Sequence, residues 1–247
     1  MKLRPAFVAG LSLLASACGA RDRAAPGKPL ASSKVIRPDK VTSFAMLYAA
    51  NCAACHGVEG KGGAAQPLRD PLYLAIASDA TIRDVARNGV HGTAMPAFVQ
   101  NAGGMLTDEQ IDAIVTGIRK WEDPEAVRGA NPPPYAANTA GDTRRGANVY
   151  AVYCASCHGP DGRGGKRGSS IVDASFLALV SDQSLRTTVI VGRPDLGAPD
   201  FRENVPGKPM TNQEVTDVVA WLAAQRAAFA GQPYPAASKR TELGVRP

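Results

Sequence analysis

The chain has 247 residues, of which 45% are hydrophobic, 20% charged and only 6% aromatic, and its formal charge is +6. This composition is ordinary for a globular protein of one or two domains. The positive charge does not indicate nucleic-acid binding, because the sequence has no basic helix with interleaved aromatic residues and no phosphate-binding loop.

The first residues have the pattern of a bacterial export signal. Lys2 and Arg4 precede an apolar run at 7–14, and small residues at 15–17 form a cleavage site before Cys18. We predict a signal peptide at 1–17, acylation of Cys18 and a lipid-anchored linker at 18–39. This places the chain on the periplasmic side of a bacterial membrane. The usual lipobox leucine lies one position closer to the cysteine, so secretion as a soluble periplasmic protein is the alternative.

Two copies of one short motif lie 102 residues apart: Cys52-Ala53-Ala54-Cys55-His56 and Cys154-Ala155-Ser156-Cys157-His158. The motif is typical of covalent haem attachment, because its thiols can add across the two haem vinyl groups and its histidine can bind the iron. We therefore predict two covalently bound haem c groups. A four-cysteine zinc site, disulfides and a thioredoxin-like redox pair are the alternatives.

The residues after each motif also repeat, which indicates two related domains. Glycines repeat at an offset of 102, and residues further along repeat at an offset of 103, among them Leu74 with Leu177 and Pro96 with Pro199. We predict one domain at 40–122 and a second at 143–230. A proline-rich linker at 123–142 joins them, and a polar tail follows at 231–247.

Each predicted domain ends in an amphipathic helix that begins with a capping box, at Thr107 and at Thr211. The apolar stripes that follow are Ile111, Ile114, Val115 and Ile118 in the first helix and Val215, Val218, Val219 and Leu222 in the second. A short helix is predicted before each haem motif, marked by Phe44, Leu47 and Tyr48 and by Ala147, Tyr150 and Ala151. Strand patterns are weak throughout, so the fold class is all-α.

These features, with the segment Gly92-Thr93-Ala94-Met95-Pro96-Ala97-Phe98, resemble the class I cytochrome c family in a dihaem form with two tandem domains. The resemblance implies a few helices wrapped around each haem. It also implies that a methionine in a Met-Pro-x-Phe segment is the sixth ligand of the haem iron. Met95 fits that setting, Met105 is the local competitor, and His91 would give bis-histidine ligation.

The second half departs from the family pattern, because Ala198 aligns with Met95 and alanine cannot bind iron. We predict Met210 as the sixth ligand. An open position, Lys208 or Lys166 are the alternatives. The family often supports the proximal histidine through a proline segment, for which Pro67 is available near His56. The matching region near Ser169 and Ser170 has no proline.

The resemblance implies an electron carrier that does not transform a substrate. Its expected partners are a membrane quinol-oxidising complex and a terminal oxidase or reductase, and it can equally be a fixed cytochrome subunit of such a complex. A cluster of Arg163, Lys166 and Arg167 is either a solvated loop or a docking patch for an acidic redox partner. With an open position at the second haem, the alternative is a haem enzyme, either peroxidase-like or acting on sulfur compounds.

Overall fold

The computed structural model describes residues 36–227. The predicted signal peptide, Cys18 and the predicted tail lie outside these residues. The chain divides into two units, Met1–Arg37 and Pro38–Pro247, and the fold described below belongs to the second unit. No helix between residues 36 and 227 is long and apolar enough to cross a bilayer.

The described residues fold into helices joined by loops. In chain order the α-helices are α1 (Phe44–Asn51), α2 (Ala53–His56), α3 (Pro71–Ile76), α4 (Asp79–Asn88), α5 (Asp108–Arg119), α6 (Thr143–Tyr153), α7 (Ala155–His158), α8 (Ala174–Leu179), α9 (Asp182–Val191) and α10 (Asn212–Ala223). Short 3-10 turns lie at Pro38–Lys40, Gln100–Ala102 and Pro194–Leu196. Over this part of the chain the only β-type pairings are isolated bridges, Val99 with Leu106 and Arg193 with Ala198. The all-α prediction is confirmed.

The last helix of each half forms as its sequence indicates. The side chain of Thr107 accepts a hydrogen bond from the Gln110 N–H, and that of Thr211 accepts one from Glu214; the reciprocal bonds of both capping boxes are also present. These bonds satisfy backbone donors that a helix start otherwise leaves free. Every residue of the two predicted apolar stripes is buried.

The helix before each haem motif also forms. Helix α1 buries Leu47 and Tyr48. Helix α6 buries Gly146, Val149, Tyr150 and Tyr153, whereas Ala147 and Ala151 are exposed. The larger apolar surface of the valine and tyrosines determines which side packs, because burial free energy grows with area.

In each half the first and last helices cross where a large side chain on one helix packs against a glycine on the other. In the first half the glycine is on the last helix, and in the second half it is on the first. A Cβ atom on Gly117 would lie 2.0 Å from the Phe44 ring. At the repeat-equivalent positions stand Trp221 and Gly146, and a Cβ on Gly146 would lie 2.7 Å from the Trp221 Cβ and 2.1 Å from the Asp217 carbonyl oxygen. Each crossing is therefore close because one of its two helices carries no side chain there.

Replacing Gly117 with alanine is expected to destabilise the chain by ~1 kcal/mol, although helix propensity alone predicts a stabilisation of about the same size. The Phe44 ring cannot give way easily, because its centroid lies 5.4 Å from that of Tyr48 and 5.2 Å from that of Trp121. In a Phe44→Ala background the same change should become stabilising. Denaturant unfolding of the parent, the two single variants and the double variant measures both effects. A stabilising Gly117→Ala in the otherwise unchanged chain would contradict this packing.

A buried arginine is among the side chains that bind the proline-rich segment to the second half, with Gln183, Asn212 and Gln213. Arg186 on α9 is 2% exposed. Its guanidinium donates to the carbonyl oxygens of Pro134 at 2.8 Å and Tyr135 at 3.0 Å. It also donates to Thr216 Oγ1 and Asn212 Oδ1 of α10. One side chain thus joins the segment to two helices.

The two halves share a hydrophobic core and meet beside the first haem motif. The core includes buried residues from α1, α3, α5, α6, α9 and α10. The Arg193 guanidinium donates to the carbonyl oxygens of Gly63 at 2.7 Å and Ala64 at 3.2 Å. Thr188 donates to the Gln66 side chain at 3.4 Å. The second half therefore packs directly on the loop that follows Cys55 and His56.

Candidate haem sites

Each Cys-x-x-Cys-His motif forms one short helical turn that continues the helix before it. Cys52 ends α1 and begins α2, and Cys154 ends α6 and begins α7, with nearly equal backbone angles (φ −117° and −119°). The first cysteine carbonyl accepts the histidine N–H at 2.9 Å in the first half and 3.0 Å in the second. Residues three apart in a helical turn share a face, so both thiols of each motif lie on one side.

The two motif histidines are oriented by the same kind of contact. His56 Nδ1 lies 2.8 Å from the Gln66 carbonyl oxygen, and His158 Nδ1 lies 2.8 Å from that of Ser169. A carbonyl can only accept, so Nδ1 carries the proton and Nε2 keeps its lone pair for a metal. The first carbonyl belongs to the residue before Pro67. The second shows that the contact forms without a following proline.

The electrostatics of the sites favour neutral side chains. Burial lowers the pKa of His56, partly offset by its bond to Gln66, which keeps the imidazole neutral as an iron ligand must be. Burial, reinforced by the second thiol of each motif, raises the pKa of Cys52 to about 11 and that of Cys154 to about 12. Both thiols are therefore protonated at neutral pH.

These residues fit a covalent haem better than the alternatives. All four motif cysteines are free. Between residues 36 and 227 no group of three or more His, Cys, Asp or Glu side chains is arranged to hold a metal ion, so a four-cysteine zinc site finds no support. Each site combines two thiols on one face of a helical turn with an imidazole whose Nε2 is free. That is the set of protein groups that a haem c requires.

The predicted ligand Met95 lies in a turn fixed by hydrogen bonds. Its N–H donates to Thr93 Oγ1 at 3.1 Å, and its carbonyl accepts the Val90 N–H at 3.0 Å. The side chain is partly exposed. The competing residues differ, because Met105 is 81% exposed and His91 is also exposed. Met95 remains the predicted ligand of the first haem.

In the second half, the residues considered for the sixth position are spread over the region before α10. Met210 directly precedes the N-cap Thr211, is 2% exposed and donates its N–H to the Phe201 carbonyl at 2.9 Å. Lys208 Nζ lies 5.2 Å from the centre of the Tyr153 ring, a cation–π contact. Lys166 is exposed and belongs to the basic cluster with Arg163 and Arg167, which are exposed as well.

Local sequence patterns did not point to several residues that shape these sites. The carbonyls of Gln66 and Ser169 carry no side-chain pattern. Arg193 binds carbonyls about 130 residues away in the chain. The family resemblance had indicated the segment at Pro67 and the matching region near Ser169, but not which carbonyl contacts each histidine.

The comparisons with known proteins agree with this geometry. The family described as cytochrome C oxidase, cbb3-type, subunit III matches the chain twice, over residues 39–116 and 141–222. A cbb3-type cytochrome c oxidase subunit CcoP of Azospirillum sp. (strain B510) is 31% identical over 146 residues, which are 52% of this chain and 45% of the relative. A cytochrome bc1 complex cytochrome c subunit of Mycobacterium tuberculosis (strain ATCC 25618 / H37Rv) is 24% identical over 193 residues, 77% of this chain and 64% of the relative.

Among solved structures, a chain of the Kuenenia stuttgartiensis reducing HAO-like protein complex is 17% identical. The match covers 78% of this chain and 100% of that one, with a TM-score of 0.45. The chain spans about half the length of the first curated relatives it matches. Because the family matches twice in tandem, over both haem motifs and both capped helices, the chain belongs to the cytochrome c family described as cytochrome c oxidase, cbb3-type, subunit III.

Proposed function

We propose that this protein is a membrane-tethered dihaem cytochrome c that carries single electrons between respiratory or photosynthetic complexes, or serves as a fixed cytochrome subunit of one. The observation that carries the proposal is the repeated site. Both motifs present two thiols on one face of a turn, and both histidines have Nδ1 bound to a carbonyl. Bound haem supplies an iron that gains and loses one electron.

The chain's own residues hold and tune each haem. The thioether bonds formed by Cys52 and Cys55, and by Cys154 and Cys157, fix each haem to the turn that carries its histidine. The carbonyls of Gln66 and Ser169 set the imidazole orientation and raise its basicity as a ligand. A thioether from Met95 favours ferrous iron and so raises the potential of the first haem.

The relatives suggest partners on both sides of the electron path. Their names place them in a bc1 complex and in a cbb3-type oxidase. For this chain we propose a quinol-oxidising complex as donor and a terminal oxidase or reductase as acceptor. The exposed cluster of Arg163, Lys166 and Arg167 follows the second haem motif and suits an acidic partner surface, since complementary charge speeds encounter.

We place the chain on the periplasmic side of the membrane, anchored by acylation of Cys18. Such an anchor would keep the haem sites near membrane partners. Labelling with radioactive palmitate is expected to mark the chain, and Cys18→Ala is expected to abolish the label and release the chain into the soluble periplasm. A Cys18→Ala chain that stays in the membrane fraction would contradict the anchor.

Haem stoichiometry tests the proposal directly. A pyridine haemochrome assay on the matured full chain should give two haems per chain with the spectrum of thioether-bound haem. The paired change Cys52→Ser with Cys55→Ser should leave one haem, and so should Cys154→Ser with Cys157→Ser. A colourless chain would refute haem binding.

Electron transfer is measured next on the intact chain. A purified bc1-type complex supplied with quinol should reduce both haems, and a cbb3-type oxidase with oxygen should reoxidise them. If both haems are present but neither complex exchanges electrons with them, the proposed role as a carrier is wrong.

A further inference from the structure

The turn that carries Met95 in the first half is reproduced in the second half around Ala198. The Val90 N–H donates to the Met95 carbonyl at 3.0 Å, and the repeat-equivalent Arg193 N–H donates to the Ala198 carbonyl at 2.9 Å. The glycine before each turn has a positive φ, 66° at Gly89 and 73° at Gly192. Ala198 therefore occupies the place in the second half that Met95 has in the first.

Met210 corresponds to a different residue of the first half, Leu106. The Leu106 N–H donates to the Phe98 carbonyl at 2.8 Å, and the Met210 N–H donates to the equivalent Phe201 carbonyl at 2.9 Å. Each residue directly precedes the threonine that opens a capping box. At this position an apolar residue packs against the fourth residue of the helix and fixes the direction in which the chain enters it.

The surroundings of Met210 are those of a core residue. Met210 is 2% exposed and Leu106 is 5% exposed, and the helix residues that such a staple contacts, Val215 and Ile111, are both fully buried. Asn204 Nδ2 lies 4.0 Å from the Met210 sulfur. Protein atoms thus cover a thioether that would have to face the porphyrin in order to bind iron.

The lysine nearest to Met210 in sequence is also engaged elsewhere. Lys208 lies over the Tyr153 ring at 5.2 Å, and the Tyr153 hydroxyl donates to Glu214 at 3.1 Å. The ammonium group therefore contacts an aromatic ring that is itself fixed by the carboxylate of Glu214. Arg193, at the start of the Ala198 turn, is paired with Asp195 at 2.8 Å and cannot ligate iron.

We propose that the second haem site has no methionine ligand and binds a small diatomic molecule beside Ala198. The proposal rests on haem attachment at Cys154 and Cys157. Alanine lacks the Cγ, Sδ and Cε atoms of methionine, so the turn leaves room for a molecule of about that size. Ligands of the carbon monoxide class bind ferrous haem reversibly, with no bond broken and no electron transferred.

Carbon monoxide titration of the reduced full chain tests the proposal. We expect one CO bound per chain that carries two haems, with half of the Soret absorbance shifted. We expect Ala198→Met to abolish this uptake and to double the charge-transfer band of thioether-ligated ferric haem. Met210→Leu, which places the first half's residue at the equivalent position, should leave the CO stoichiometry, the thioether band and the melting temperature unchanged.

Two results would overturn the proposal. One is a parent chain with two haems that takes up no CO, whichever side chain is then the sixth ligand of the second iron. The other is a Met210→Leu chain that binds one CO more than its parent, because Met210 would then be a ligand. A chain with fewer than two haems in the pyridine assay would contradict the proposed dihaem function and not the CO-binding site, so the two failures are distinguishable.

Discussion

Replacing Met95 with alanine is expected to lower the midpoint potential of the first haem by ~0.1 V or more, within the roughly 0.8 V range that axial ligands can set. The thioether is a soft donor that stabilises ferrous iron, so its loss favours the ferric state. The hydrogen bonds of Met95 to Thr93 and Val90 involve its backbone, so the turn should survive the change. The reduced variant should also bind one more CO per chain than its parent.

A matched control for this experiment lies ten residues along the chain. Met105 belongs to the same half but is 81% exposed, and Met105→Ala should change neither the potential nor CO uptake. Spectroelectrochemical titration of the full chain measures both variants against the parent. If Met105→Ala lowers the potential and Met95→Ala does not, the ligand of the first haem is Met105.

Replacing Arg186 with methionine is expected to destabilise the folded chain by about 3 kcal/mol. The change removes a buried cation and the donor of the Pro134 carbonyl, whereas the Tyr135 carbonyl keeps Gln183 Nε2 as a second donor. Thr216 and Asn212 also lose their charged donor, and hydrogen bonds to charged groups contribute more than those between neutral groups. For a chain of this size the melting temperature should fall by roughly 6–12 °C.

The first half supplies the control for this prediction too. Arg83 is the repeat equivalent of Arg186, but its side chain is 40% exposed and paired with Asp112 at the surface. Arg83→Met should therefore change stability very little. Thermal unfolding followed by circular dichroism compares the two variants, and limited proteolysis should show faster cleavage within 123–142 only for Arg186→Met. Equal effects of the two changes would refute the role assigned to Arg186.

The parts of the fold that were predicted correctly depend on local sequence. Capping boxes at Thr107 and Thr211 involve residues three apart, and the apolar stripes after them repeat with the helical period. The two Cys-x-x-Cys-His motifs are equally local, since each places two cysteines and a histidine within one helical turn. Such features follow from short-range geometry, so they can be read from a single chain.

The features that were missed depend on contacts between distant segments. Nothing around Arg186 indicates that its guanidinium binds the carbonyl of Pro134, which is 52 residues away. The residues that α6 buries also depend on its neighbours: Ala147 and Ala151, which marked the helix in the sequence, are exposed, because small residues fit either side of a helix.

Met210 shows how one residue can fit two sequence patterns. Its position directly before a capping box already indicated an apolar staple, as at Leu106 in the first half. The prediction that it binds iron depended instead on its being the only methionine after residue 105. The prediction that Met210 binds iron is tested by the CO titration, which distinguishes it from the staple.

The exchanged pairs, Phe44 with Gly117 and Gly146 with Trp221, have an evolutionary consequence. Recombination between the two gene repeats would produce hybrid halves that join α1 to α10 or α6 to α5. The first hybrid would set a phenylalanine against a tryptophan, and the second would set glycine against glycine and leave a void. Both products would fold poorly, so selection would remove them, and the two copies are free to diverge without being homogenised.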